Sequence, residues 1–241
     1  MFTDKIEAKD FGKMPKEYQD LLVRVVRIQA DCEIGGPHLY VNEWELHAPT
    51  ADDQWKVAKT AAEEIDHFRK MNRVLTEIGF DASNRLFISK SERYVDAFRV
   101  DMPAWADWAV FGFLIDRVGR YQLEEFENCS YLPLARQLPP YDTQIIEEEK
   151  GHINFGMIKA IELAKTPEGK AAAQAAINRW YIIALDMFGK SDSWRDDRYL
   201  EWGLKRRTNA QARQEYMAEV NPLITRLGFE VPDPLKGRKF L

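Results

Sequence analysis

The chain has little of what secreted, membrane and nucleic-acid-binding proteins are built on. Its 241 residues include two cysteines, Cys32 and Cys129, and no Cys-x-x-Cys. A disulfide framework and a structural zinc ribbon are therefore both excluded, and the composition suits a reducing cytosol. Long apolar runs are missing too: the longest, Trp108 to Ile115, falls far short of the ~20 residues that a membrane-spanning helix needs. The amino terminus, Met1 to Gly12, alternates charged and apolar residues and lacks the apolar core of a secretory signal. No charge of one sign accumulates: 34 Lys and Arg stand against 39 Asp and Glu, a formal charge of -5. That balance argues against nucleic acid, whose binding rests on neutralising phosphates. Gly-rich nucleotide loops and alternating strand-like runs are also absent. With 45% hydrophobic and 30% charged residues, the expectation is a cytoplasmic globular protein with a substantial core, one domain over residues 1–241.

What is present is helical periodicity. A first helix opens near Pro15 and carries Tyr18, Leu22, Val25, Val26 and Gln29 toward Glu33, with Gly35-Gly36-Pro37 read as its stop. A second is capped at Thr50, has Asp52 and Asp53 in its first turn, and runs to Gly79. Its inward stripe reads Val57, Ala61, Glu64, His67, Phe68, Met71 and Leu75. A third follows Pro103 and continues to about Cys129, placing Ala109, Gly112, Phe113, Asp116, Gly119 and Leu123 on one side. A fourth begins at Asp142-Thr143 after Leu138-Pro139-Pro140 and aligns Ile145, Glu149, His152, Ile153, Gly156 and Ala160. Two further helices are expected from about Pro167 to Gly189 and from the capping box Thr208-Asn209-Ala210-Gln211 to Gly228. The fold class is all-α: a four-helix bundle with additional C-terminal helices.

Acids and histidines interrupt those apolar stripes in a repeated pattern. Glu64-Ile65-Asp66-His67 and Glu149-Lys150-Gly151-His152 are both Glu-x-x-His, and together use two of the chain's four histidines. On a helix, positions i and i+3 share a face, so each pair can grip one metal ion. In ferritin-like carboxylate bundles two helices supply such pairs and two others supply lone carboxylates. Glu33 suits the first lone position. For the second, Asp116 competes with Glu124, Glu125 and Glu127, which lie about two turns, ~12 Å, further along the helix. Glu33 precedes Glu64 by 31 positions and Asp116 precedes Glu149 by 33, near-equal gaps that two antiparallel hairpins would give. Buried carboxylates need a partner such as a metal, and oxygen and imidazole donors without thiolate suit iron or manganese. Glu63 and Glu148, each preceding a motif Glu, are candidate partners for the histidine N–H groups. His38 and His47 are read as non-ligands. Lys59, Arg120 and Arg179 are candidate phosphate contacts, although each is equally a solvated or ion-paired side chain. Phe113 and Trp105 are core residues that could also face an aromatic substrate.

From about Pro15 to Leu235 the chain resembles the catalytic subunits of the bacterial phenylacetyl-CoA epoxidases, a phenylacetic acid catabolic family of ferritin-like di-iron oxygenases. The resemblance rests on Cys32-Glu33-Ile34-Gly35-Gly36, Ala48-Pro49-Thr50, Glu63-Glu64-Ile65-Asp66-His67, Trp105-Ala106-Asp107, Phe113-Leu114-Ile115-Asp116, Glu148-Glu149-Lys150-Gly151-His152, Ala176-Ile177-Asn178-Arg179, Met187-Phe188-Gly189 and Val231-Pro232-Asp233-Pro234. It implies an aspartate ligand at Asp116, and so two iron ions held by Glu33, Glu64, His67, Asp116, Glu149 and His152. It further implies O2 activation and epoxidation of an acyl-CoA, with electrons from a separate flavin or iron–sulfur reductase and assembly as a homo-oligomer or with a structural subunit. The chain departs from the family in a shorter segment after Pro234 and a longer loop at Leu138 to Ile146. Other functions open to this fold are iron storage or oxidation, a non-catalytic structural role, or a di-metal oxidase with another substrate.

Overall fold

A computed structural model of the protein describes residues 2–40 and 47–240. The described residues are all-α, without a strand beyond one isolated bridge between Ile6 and Tyr131. The bundle is built from α1 (Lys16–Tyr40), α2 (Ala51–Thr76), α3 (Trp105–Glu124), a single-turn α4 (Leu132–Ala135), α5 (Gln144–Leu163) and α6 (Pro167–Met187), followed by α7 (Trp194–Glu201) and α8 (Asn209–Arg226). No helix among the described residues is long and apolar enough to cross a membrane.

Local chemistry sets the helix starts. The Thr50 hydroxyl accepts the Asp53 N–H at 3.1 Å and opens α2. Thr166 accepts Gly169 N–H at 3.0 Å ahead of Pro167 at the first turn of α6. Thr208 and Gln211 form a reciprocal capping box at α8. The expected stop at Gly35-Gly36-Pro37 is not one, because α1 continues through it to Tyr40. Gly35 serves packing instead: a Cβ there would lie 2.6 Å from the Phe98 ring, so the absent side chain admits the 82–100 segment against α1. Pro37 stays inside the helix at the cost of the N–H that would have bonded the Glu33 carbonyl.

Helices α1 and α2 pair as one hairpin and α3 and α5 as the other, with α6 and α8 closing over the opposite side of α3. This explains why α3 is buried around most of its circumference, from Ala106 to Leu123. The α3–α5 pair is antiparallel and runs close: a Cβ on Gly156 would meet Ala109 O and Phe113 N at 2.6 Å, whereas one on Gly112 would meet Gly156 Cα at 3.4 Å. Gly156→Ala is therefore expected to lower stability by about 1–3 kcal/mol despite alanine's better helix propensity, since backbone must move. Gly112→Ala should be close to neutral. Urea midpoints of the two variants check the pair, and equal midpoints would contradict this packing.

Glu124, Glu125 and Glu127 leave the bundle centre altogether. Helix α3 ends at Glu124, five residues before the expected limit at Cys129, and buried Glu125 accepts the Arg206 and Arg207 N–H groups at 2.8 and 3.0 Å. Glu124 and Glu127 face Arg206 at 3.2 and 3.8 Å.

Candidate metal centre

The four bundle helices deliver their acids and imidazoles to one level. Glu33 from α1, Glu64 and His67 from α2, and Glu149 from α5 are all buried, with one ligand atom from each within 4.8 Å of every other, a cluster that could hold a metal ion. His152 from α5 joins it through Nδ1, 3.1 Å from Glu64 Oε1. Asp116 from α3 lines the same small cavity, about 40 Å³, with Glu33, Glu64 and Glu149.

The two imidazoles are held in the same way but by opposite helices. His67 Nε2 meets Glu148 Oε2 of α5 at 2.8 Å, and His152 Nε2 meets Glu63 Oε2 of α2 at 2.9 Å. Each carboxylate fixes the Nε2–H tautomer and turns Nδ1 inward. Both Nδ1 atoms are buried without a hydrogen-bond partner. Such atoms are costly in a folded interior unless something else occupies their lone pairs.

Charge in the cluster points the same way. Burial, then the neighbouring charges of Glu149 and Glu33, push the Glu64 carboxyl well above the usual carboxylate range. Burial and Glu149 do the same to Asp116. For Glu33 burial acts upward, but contact with His67 and the Gln29 hydrogen bond at 2.5 Å pull it below its ordinary value. Desolvation lowers the His67 imidazolium, yet Glu149, Glu33 and Glu64 outweigh it and raise the group to about 12. Carboxylates that cannot all ionise together, around an imidazole that strongly retains a proton, are the electrostatics of a cation site. Glu64 also differs from the simple one-helix, one-metal arrangement: Oε1 faces His152 and Oε2 lies 3.8 Å from its own-helix His67, so one carboxylate spans both imidazoles.

Residues singled out for substrate contact lie elsewhere. Lys59 is exposed and bonded to Glu63; burial acts to raise that carboxyl, but His152 and Lys59 together hold it down at about 2. Arg120 turns to α8, where it donates to Glu219 at 2.6 Å beside the Tyr121 hydroxyl. Arg179 bonds Asp107. Phe113 is fully buried in the core under Arg117, and the small cavity is walled instead by Phe111, Ile115 and Phe98. His38 is inside α1, not in a loop, and its Nδ1 meets Arg93 at 2.6 Å.

A second, larger cavity of about 810 Å³ lies between α1, the 94–100 segment and the C-terminal end of α6. Gln29, Cys32, Gln122 and Met187 line both cavities, so the large one opens onto the acid cluster. Arg24, Lys190 and Arg195 line it without a carboxylate partner among the described residues. Sequence reading missed all of these except Gln29, because the wall is assembled from five distant segments.

A family model described as "Phenylacetic acid catabolic protein" matches residues 3–239. The chain is 30% identical over 234 residues, 95% of its length and 74% of the relative's, to the A subunit of 1,2-phenylacetyl-CoA epoxidase from Escherichia coli (strain K12). It is 25% identical over 224 residues, 81% of its length, to benzoyl-CoA oxygenase component B of Aromatoleum evansii, of which it spans 46%.

Proposed function

The chain belongs to the phenylacetic acid catabolic protein family, and from that premise we propose that it is the oxygen-activating component of an oxygenase acting on an aromatic acyl-CoA thioester, phenylacetyl-CoA being the first candidate. One observation carries the reading: two buried histidines present unpartnered Nδ1 atoms to a carboxylate cluster that opens into a cavity of ligand size.

The donors fit a pair of iron ions, and manganese is compatible with the same set. His67 and His152 would each hold one ion through Nδ1, Glu64 and Glu149 would lie between the ions, and Glu33 and Asp116 would complete the two sides. Two irons bound there would supply four-electron reduction of O2, one atom entering the substrate and the other leaving as water, with two of the electrons delivered from outside. The protein's part is to fix the donors, exclude water and place the substrate. Apolar Phe98, Phe111 and Ile115 keep the reacting region dry. Arg24, Lys190 and Arg195 match the phosphates of coenzyme A, and about 810 Å³ accommodates a pantetheine chain and much of the nucleotide. Electrons would come from a separate flavin or iron–sulfur reductase, and a structural subunit would complete the assembly. This reading follows from the multicomponent names of both relatives.

Glu148→Ala removes the carboxylate that orients His67 and is expected to weaken metal binding about 10-fold to 100-fold with little change in fold. Competition with a chromophoric chelator measures it, and unchanged affinity would contradict the role. The activity is tested by a single turnover: iron-loaded, chemically reduced protein is mixed with phenylacetyl-CoA and 18O2. One labelled oxygen atom in the recovered thioester supports the proposal. Thioester recovered unchanged opposes it.

A further inference from the structure

Any substrate with its acyl group at the acid cluster and its carrier in the large cavity must pass the four side chains common to both, Gln29, Cys32, Gln122 and Met187. Their hydrogen-bonding capacity differs. The Gln29 amide is committed to Glu33 at 2.5 Å. Cys32 is a weak donor whose thiol is pushed well up by burial, and Met187 has no donor. Gln122 alone of the four carries a strong donor that bonds no described residue through its side chain; it is half-buried and lies on α3.

Its position along α3 matters. Gln122 follows Gly119 by three residues and Asp116 by six, on the face that lines the small cavity. Long helical side chains lean back over the preceding turn, which brings the carboxamide to the level of Gly119, about 4.5 Å along the axis from Asp116. Gly119 leaves that space open: a Cβ there would be 3.8 Å from Glu149 Oε2 with nothing nearer. In an arylacetyl thioester a single methylene separates the ring from the carbonyl. A ring held at the carboxylates therefore puts its carbonyl oxygen about one helical turn away, in the neck between the cavities.

We infer that Gln122 is a substrate-positioning residue whose carboxamide N–H donates to the thioester carbonyl of the bound acyl-CoA. The inference rests on the acyl-CoA reading above and adds to it the group that reads the thioester. A carbonyl desolvated in this neck without a donor would bind weakly, so the bond selects thioesters over ligands of equal shape that lack the oxygen and fixes how deeply the ring enters.

Calorimetry on the intact chain, kept under argon, separates the possibilities with two ligands: phenylacetyl-CoA and S-(2-phenylethyl)-CoA, in which a methylene replaces the carbonyl. The wild type should prefer the thioester by about 10-fold or more. Gln122→Leu should lower thioester affinity by that factor, leave the thioether unchanged and so erase the preference, with its unfolding midpoint checked against wild type. A preference that survives Gln122→Leu overturns the inference while leaving the acyl-CoA reading intact, as does an equal loss of both ligands, which would mark a structural role. Failure of the wild type to bind either ligand overturns the acyl-CoA reading itself and this inference with it.

Discussion

Glu64→Ala will leave a helical protein that binds at most one metal ion per chain. Glu64 is the residue whose two oxygens face the two histidines, at 3.1 Å to His152 and 3.8 Å to His67, so its loss removes a donor from both halves of the centre at once. The same substitution relieves the crowding of acids: burial and the charges of Glu149 and Glu33 already make ionised Glu64 unfavourable in the folded state. Stability measured in chelator should therefore hold or rise in the variant. Stability in excess metal should fall relative to wild type, because a ligand at 100 times its dissociation constant contributes about 2.7 kcal/mol and that linkage is lost. Opposite signs in the two conditions separate a ligand from a residue that merely fills the core. Melting curves with chelator and with excess Fe(II) or Mn(II) read both, and an undiminished metal-induced shift in Glu64→Ala would remove it from the centre.

Asp31→Asn is expected to cost about 3–5 kcal/mol, the range for breaking a buried ion pair and stranding its partner. Asp31 is fully buried on α1 and accepts from Arg85 at 2.9 Å, Arg93 at 2.8 Å and the Tyr94 N–H at 2.7 Å. Both guanidinium groups are themselves buried, so neither can exchange the lost charge for water. The consequence extends to the large cavity, because this cluster pins the 82–100 segment whose Tyr94, Val95 and Ala97 form part of the wall. Acyl-CoA affinity should fall together with the urea midpoint. At the surface, Asp10→Asn, which breaks an exposed pair with Lys13, should leave the midpoint where it is. Similar midpoints for Asp31→Asn and wild type would show that the cluster is not a structural clamp.

The sequence made the helices and the placement of acids in apolar stripes legible because both depend on period alone. Thr50, Pro167 and Thr208 announced helix starts through capping chemistry that is local. Gly35-Gly36-Pro37 misled for the same reason: read locally it is a stop, and only the Phe98 ring, 63 positions away, explains the missing Cβ at Gly35. Periodicity also places a residue on a face of its own helix without saying which helix it meets. Glu63 and Glu148 could be matched to histidine N–H groups in kind, but their crossing to the opposite helix's histidine is a property of how α2 packs near α5. Lys59 and Arg120 looked free as cations because their partners, Glu63 and Glu219, become neighbours only in the fold. Asp31 offered a signal that went unread, an acid directly after Ala30 in an otherwise apolar face of α1. The large cavity offered none, since Arg24, Gln122, Met187 and Lys190 share no motif or spacing.

Titration of the chelator-treated protein with Fe(II) under argon, followed by its near-ultraviolet and visible absorption and by metal analysis of the desalted product, tests the central claim most directly. Binding that saturates at two iron ions per chain, with a spectrum that changes on admitting oxygen, is the predicted result. Saturation at one ion, or no binding above that of a Glu64→Ala, His67→Ala, His152→Ala triple variant, would contradict a two-metal centre at these residues.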